Sequence, residues 1–195
     1  EKIEEPSEVM ALWKGLLKKD GILLLGTDNR LGIRYFCGDR DPYTKHNFDG
    51  IENYARYDLE AIKWNGGRCY SKNEIQDMLK KAGYEKCKMY SVFPNLNAAQ
   101  LIYAEGYLPN EELSMRYIPM YQYPDTVYLQ EGLIYNSLIK NGMFHVMANS
   151  FLLECTMAGN VSNIKHVTLS MDRGYNQAMI TSITEENEVR KQPAY

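Results

Sequence analysis

The chain opens with two hydrophobic patterns in succession, a helical one and then a continuous one. After Pro6, apolar residues recur at helical spacing, at Val9, Leu12, Trp13, Leu16 and Leu17. Gly21 is placed to terminate this helix. Residues 22–25 are all apolar, which is typical of a strand covered on both faces in a parallel sheet. The pattern predicts an α/β unit with polar residues where its strand ends.

The middle of the chain carries turn and capping signals. Residues 27–67 show no clear period and predict a long loop. Ser71 and Glu74 form a capping box that begins a short helix, and Gly83 ends it. Residues 84–93 and 100–107 read as two strands. The turn residues at 94–97 between them predict an antiparallel pair.

The second half predicts a helix and then several strands. Asp125 is placed to cap a helix that runs to about Lys140, and residues 151–153 predict another buried strand. Residues 167–170 and 178–184 flank a hairpin turn signal at 172–174. A third strand follows at 189–195 and is broken at Pro193.

Composition and charge exclude some classes of function. The net charge is −3 without a Lys/Arg block, which disfavours nucleic-acid binding through phosphate neutralisation. Four widely spaced cysteines with no CxxC pair, and no histidine at metal spacing, predict reduced thiols and no metal site. No apolar run approaches the length of a membrane span. We therefore expect a soluble, cytoplasmic protein.

Two stretches resemble a known enzyme family. Residues 16–24, Leu-Leu-Lys-Lys-Asp-Gly-Ile-Leu-Leu, are similar to the Leu-Lys-Pro-Gly-Gly stretch before that family's fifth strand. Residues 67–71, followed by the apolar positions of residues 75–84, are similar to its last helix and the next strand. On these motifs, residues 1–108 resemble the C-terminal part of a class I S-adenosylmethionine-dependent methyltransferase. The resemblance implies a partial Rossmann-like sheet, mostly parallel, whose final strand inserts antiparallel to its neighbours.

A narrower resemblance points to an acceptor class. The chain carries Asn-Arg-Leu-Gly at 29–32, Tyr-Phe at 35–36 and Phe-Asp-Gly-Ile-Glu-Asn-Tyr at 48–54. These phrases resemble methyltransferase-like domains of multidomain bacterial proteins that assemble surface glycans. The resemblance implies S-adenosylmethionine as the cofactor of the parent domain. It also implies a hydroxyl of a glycan or glycan precursor as the methyl acceptor.

The chain departs from the family at the cofactor site. No GxGxG motif occurs, and Gly26 and Gly32 have the wrong spacing for one. We therefore expect a truncated domain that lacks the cofactor-binding half, binds no cofactor by itself and is inactive alone. Its expected partners include the missing N-terminal half or a second copy of the chain. Residues 109–160 would form a helical connector, and residues 161–195 a short β-rich segment that begins a following domain.

Candidate substrate-binding residues lie after the first strand and in the long loop. In open α/β sheets, ligands bind just outside the carboxyl ends of the strands, which singles out residues 28–30. Polar groups there would hold acceptor hydroxyls, although Asp and Asn also commonly turn loops. Aromatic side chains in the loop would stack on a sugar ring or simply fill space beneath it. The predicted substrate-binding residues are Asp28, Asn29, Arg30, Tyr35, Phe36, Asn53 and Tyr54.

His46 and Asp49 are the candidate catalytic residues. A histidine or carboxylate within hydrogen-bond reach of a sugar hydroxyl acts as a general base. A capped short helix beginning near Asp49 explains the same residues without any catalysis.

Two alternatives to the enzyme stay open. One is a non-catalytic docking module within a glycan-assembly protein that uses its tyrosine-rich surface, and the other is an unrelated small-molecule-binding domain.

Overall fold

The computed structural model describes residues 5–57, 67–109, 113, 116, 118–170 and 173–195. Its helices are α1 (Pro6–Leu16), α2 (Ile33–Phe36), α3 (Lys72–Lys81) and α4 (Tyr135–Lys140). Its strands are β1 (Ile22–Asp28), β2 (Lys86–Phe93), β3 (Leu101–Ala104), β4 (Ser150–Thr156), β5 (Ile164–Leu169), β6 (Met179–Thr184) and β7 (Val189–Pro193). Short 3₁₀ turns occur at Pro124–Thr126, Glu131–Leu133 and Tyr175–Gln177. The fold is mixed α/β.

One seven-stranded sheet organises the described residues, in the order β1-β4-β2-β3-β5-β6-β7. Each neighbouring pair is antiparallel. The prediction that residues 22–25 lie in a mainly parallel sheet, covered on both faces, is therefore wrong. Ile22 and Leu24 are 45% and 63% exposed, because β1 is an edge strand with one face open to solvent. An unbroken apolar run does not distinguish an edge strand from a central one.

Strand β4 lies between β1 and β2 and is antiparallel to both. Strands β1 and β2 consequently run parallel to each other, although they are not hydrogen-bonded neighbours. Their carboxyl ends, at Asp28 and Phe93, therefore lie at the same edge of the sheet. The chain folds in this way because β4, predicted as a buried strand, supplies the backbone partners of both.

The hydrophobic core covers one face of this sheet. It contains side chains of α1, α3 and α4 together with the inward-facing residues of β2, β3 and β4. The rings of Phe93 and Phe144 stack at its centre, with Tyr135 packed edge-on against Phe93. The predicted helix α1 is confirmed, as is the capping box at α3. In that box the Ser71 side chain accepts from the N3 backbone N–H, and the Glu74 side chain accepts from the Ser71 N–H.

The predicted long helix from Asp125 to Lys140 is wrong. Two 3₁₀ turns occupy its first half, and only α4 is α-helical. Glu131 explains the interruption, since its fully buried carboxylate accepts hydrogen bonds from Tyr135 and Asn149 instead of facing solvent. Leu129 and Leu133, which lie within the predicted helix, are 52% and 69% exposed.

The C-terminal strands extend the same sheet. The predicted pairs β2–β3 and β5–β6 are antiparallel as expected, and β5 joins the sheet by pairing with β3. Strand β7 forms the far edge and ends at Pro193. Asp172, part of the predicted hairpin turn, lies outside the described residues. No described helix has the length and apolar character needed to cross a bilayer.

Candidate functional site

A cleft of about 400 Å³ opens at the edge of the sheet where β1 and β2 both end. Three segments form its walls: residues 26–28 at the end of β1, residues 95–97 after β2, and residues 120–122. Arg34 and Tyr43 complete the lining. Most of these side chains are polar, so the cleft suits a ligand rich in hydrogen-bonding groups.

Asp28 is the carboxylate of this cleft. Its Oδ1 accepts a hydrogen bond of 2.7 Å from the Ser150 hydroxyl, and its Oδ2 lies 3.3 Å from Nη2 of Arg34. The side chain is still 29% exposed. A carboxylate oxygen has room for more than one hydrogen bond, so Asp28 can accept from a ligand while staying anchored.

Arg34 is a buried cation beside Asp28. Only 3% of the residue is exposed, and Nη2 donates a 2.7 Å hydrogen bond to the Tyr35 hydroxyl. Its Nε has no hydrogen-bond partner among the described residues. Burial alone would lower the pKa of Arg34, but Tyr35 and Asp28 together raise it above its ordinary value. Arg34 therefore keeps its charge, and as a lining residue it places that charge beside Asp28 at the cleft.

Tyr35 and Phe36 separate in the structure. Tyr35 is buried, its hydroxyl accepts from Arg34, and burial raises its pKa well above the usual range. Tyr35 therefore helps to fix the position of the Arg34 guanidinium through this hydrogen bond. Phe36 is 39% exposed and is not among the residues that line the cleft. Neither predicted aromatic residue lines the cleft. Tyr35 contacts the lining residue Arg34, whereas Phe36 is outside the lining.

Asn29 and Arg30 face into the protein rather than into the cleft. The fully buried Asn29 amide donates to the carbonyls of Val146 and Ala148, at 2.8 and 2.7 Å. Arg30 Nε donates to Glu74 at 2.8 Å, which ties the end of β1 to the start of α3. Both contacts hold the loop after β1 in place.

His46 and Asp49 lie together, away from the cleft. His46 Nδ1 is 2.9 Å from the Tyr57 hydroxyl and 3.5 Å from Oδ2 of Asp49. The Tyr57 hydroxyl donates to the same Asp49 oxygen at 2.8 Å. Asp49 is 1% exposed, whereas the His46 ring is open to solvent. His46 lines a separate shallow depression with Arg40.

Asn53 and Tyr54 both adopt positive φ, at 54° and 58°. The exposed Asn53 accepts a hydrogen bond from Arg68. The buried Tyr54 hydroxyl donates to Asp41 and accepts from the Cys69 backbone N–H, each at 2.8 Å. Burial raises the pKa of Tyr54 far above its usual value, so the hydroxyl stays protonated. Tyr54 therefore holds the loop to the segment before α3.

Sequence reasoning missed part of the lining. No nearby sequence motif marks Arg34 as a site residue. Its place in the cleft depends on its ion pair with Asp28 of β1 and on its burial, and both arise only in the folded chain. Asn95 and Asn97 read only as turn residues, and Gln122 falls within the predicted connector at residues 109–160, between two tyrosines. The signal that could have found them is position, since residues 95–97 follow the carboxyl end of β2 as residues 28–30 follow that of β1.

Comparison with protein-family models, with curated proteins and with solved structures gives no match to this chain. In the part of the chain that the structure describes, no group of three or more His, Cys, Asp or Glu side chains is arranged to hold a metal ion.

Proposed function

We propose that the cleft at Asp28 binds the hydroxyl groups of a glycan or glycan precursor, as the acceptor-binding part of a methyltransferase-like domain. One observation carries this proposal. A part-exposed carboxylate and a buried, charged arginine meet amide side chains where β1 and β2 both end.

The lining matches the chemistry of a sugar. Each hydroxyl donates and accepts, so it needs partners of both kinds. Asp28 accepts, Arg34 donates, and the amides of Asn95, Asn97 and Gln122 do both. The Tyr43 ring, 44% exposed at the same cleft, offers a flat surface for the apolar face of a sugar ring.

Strand topology supports the methyltransferase-like part of the proposal. The family that the sequence resembles places its final strand antiparallel between neighbours. Here β4, which lies beyond the resembling residues 1–108, runs antiparallel between β1 and β2. The resemblance rests on stretches just before β1 and around α3. The three strands would correspond to the last part of a Rossmann-like sheet, with β3 and β5–β7 added beyond it.

The cleft does not fit S-adenosylmethionine. The resemblance assigns that cofactor to a glycine-rich turn, whose missing side chains leave room for the ligand. Gly26 leaves no such room, because a Cβ at this position would lie 3.2 Å from a methyl carbon of Leu96. We therefore assign acceptor binding to this chain and derive no methyl-transfer step from it.

Isothermal titration tests the proposal. The probes are hexoses, 6-deoxyhexoses, N-acetylhexosamines and their short oligomers, with S-adenosylmethionine in a separate arm. We expect binding of at least one sugar class, and a loss of roughly tenfold in Asp28→Asn, since a charge-assisted hydrogen bond contributes about 1.5–3 kcal/mol. Asp77→Asn, on the exposed side of α3, is the matched control and should bind as the parent does.

Three results would count against the proposal: no sugar binds, both variants bind equally well, or S-adenosylmethionine alone binds in this cleft. Circular dichroism of each variant separates a binding loss from unfolding.

The edge of the sheet favours a second candidate, a docking module. Ile22 and Leu24 are exposed on β1, whose outer edge pairs with no other described strand. Unpaired backbone groups beside apolar side chains invite another strand. Sedimentation equilibrium of the parent and of Leu24→Lys tests this role. Concentration-dependent association that the lysine abolishes supports docking, whereas a monomer at every concentration opposes it.

A further inference from the structure

Two cysteines face each other across neighbouring strands. Cys87 on β2 stands directly opposite Cys155 on β4. Opposed residues of an antiparallel pair share one face of the sheet, with Cα atoms about 4.5 or 5.5 Å apart. Disulfides join residues whose Cα atoms are about 4.4–6.8 Å apart. The Cα separation of the pair therefore lies within the range that a disulfide spans.

The two thiols differ in access and in acidity. Cys87 is exposed, whereas Cys155 is fully buried in the core. A hydrogen bond between the two sulfur atoms lowers the pKa of Cys87 below that of an ordinary thiol. The same bond, followed by burial, raises the pKa of Cys155. Since the thiolate is the nucleophile, Cys87 is the thiol that reacts first.

We propose that Cys87 and Cys155 form a reversible modification site, at which a low-molecular-weight disulfide of the glutathione type oxidises the pair to an intrachain disulfide.

The chemistry proceeds by two exchange steps. The Cys87 thiolate attacks one sulfur of glutathione disulfide, the sulfur–sulfur bond breaks, and one glutathione thiolate leaves. Cys155 gives its proton to that thiolate, and its sulfur then attacks Cys87 Sγ in the mixed disulfide. The second glutathione thiolate leaves and takes from solvent the proton that Cys87 released on ionising. Two protein thiols are thereby oxidised by two electrons, and one glutathione disulfide is reduced to two thiols.

The other two cysteines provide an internal control. Cys37 and Cys69 are both buried, and burial raises the pKa of each to about 12. Neither faces another cysteine in a strand pairing of the described residues. They should keep their thiols under conditions that oxidise the Cys87–Cys155 pair.

The test incubates the reduced, folded chain with excess glutathione disulfide, alkylates the remaining thiols and measures intact mass and peptide maps. The parent should lose two alkylation sites, retain no glutathione and yield a peptide joining residues 87 and 155. Cys155→Ala should stop at a stable glutathione adduct on Cys87. Cys87→Ala should remain unmodified, and Cys37→Ala should behave as the parent does.

The proposal is overturned if the parent retains four free thiols, or if its disulfide maps to Cys37 or Cys69. It is also overturned if Cys155→Ala accumulates no adduct. The parent's peptide map decides the matter even where an alanine variant folds poorly. The oxidised chain should have a higher Tm than the reduced chain. Reduction with dithiothreitol should restore all four thiols and return the Tm to that of the reduced chain.

Discussion

The Ser150 hydroxyl donates a 2.7 Å hydrogen bond to Asp28, which joins the first residue of β4 to the last residue of β1. The bond fixes one oxygen of the carboxylate and leaves the other beside Arg34. It therefore sets the direction in which the cleft's carboxylate points.

A double-mutant cycle on this pair should show direct coupling. Ser150→Ala removes the donor, and we expect the free energy of unfolding to fall by roughly 1.5–3 kcal/mol, the usual contribution of a hydrogen bond to a charged group. In an Asp28→Ala background the same change should cost much less, because the acceptor is already gone. Urea denaturation measures all four proteins. Equal costs in both backgrounds would show that the bond adds nothing to stability.

The local elements of this fold could be predicted from the sequence, because their signals lie within a few residues. Ser71 and Glu74 belong to one helical turn, and their capping box is visible in the sequence and present in the structure. The exposure of Ile22 and Leu24 was not predictable in this way. It depends on which strand pairs with β1, and β4 lies more than a hundred residues later in the chain.

The candidate site shows the same division between local and distant information. The sequence pointed to the carboxyl end of β1, and Asp28 lies in the cleft there. Arg34 could not be recognised, since only tertiary contacts bury it beside Asp28 and Tyr35. From the sequence, Asn29 could equally be an amide that binds a ligand. Its structural role was not predictable, because the carbonyls that it contacts, at Val146 and Ala148, lie more than a hundred residues later in the chain.

Asn29→Ala should destabilise the protein strongly without any ligand. The amide donates to the carbonyls of Val146 and Ala148, and its oxygen accepts from the Leu31 backbone N–H at 3.0 Å. Alanine leaves these buried groups unsatisfied, which costs roughly 3 kcal/mol. Asn136→Ala on the exposed side of α4 is the matched control and should stay within about 0.5 kcal/mol of the parent. Similar midpoints in urea for the two variants would contradict a structural role for Asn29.

Two glycine substitutions should shift stability in opposite directions. Gly38 has φ +114°, and a Cβ there would lie 2.2 Å from the Thr126 carbonyl oxygen. Gly38→Ala therefore strains the backbone and pushes the segments around Gly38 and Thr126 apart, at a cost of roughly 3 kcal/mol. Gly15, in α1, has open space within 4 Å of the position that a Cβ would occupy, so alanine there should add about 0.5–1 kcal/mol through helix propensity. Thermal unfolding distinguishes the two, and a Tm shift of the same sign in both would be contrary to expectation.

His145 should make stability depend on pH below neutrality. Its Nε2 donates to the Tyr107 carbonyl at 3.1 Å, and its Nδ1 lies 2.8 Å from the Ser91 hydroxyl, which donates to Nδ1 when the ring is neutral. Burial, reinforced by the charge of Lys72, lowers the pKa of His145 below 6.5. The folded chain therefore binds this proton more weakly than the unfolded chain does. Stability is fully present above pH 6.5 and falls as the pH drops below it, by up to about 1.4 kcal/mol per pH unit.

His145→Gln should flatten this part of the profile, because glutamine keeps a donor and an acceptor but does not titrate. Urea denaturation at intervals from about pH 7.5 to about pH 5 measures the slope above the range where carboxylates dominate. Glu74 contributes only at lower pH. Burial raises its pKa, but hydrogen bonds from Arg30 and Ser71 outweigh that effect and bring it below 4.5. An unchanged slope in His145→Gln would mean that another group binds the proton on unfolding, since the variant has lost the only titrating atom at that position.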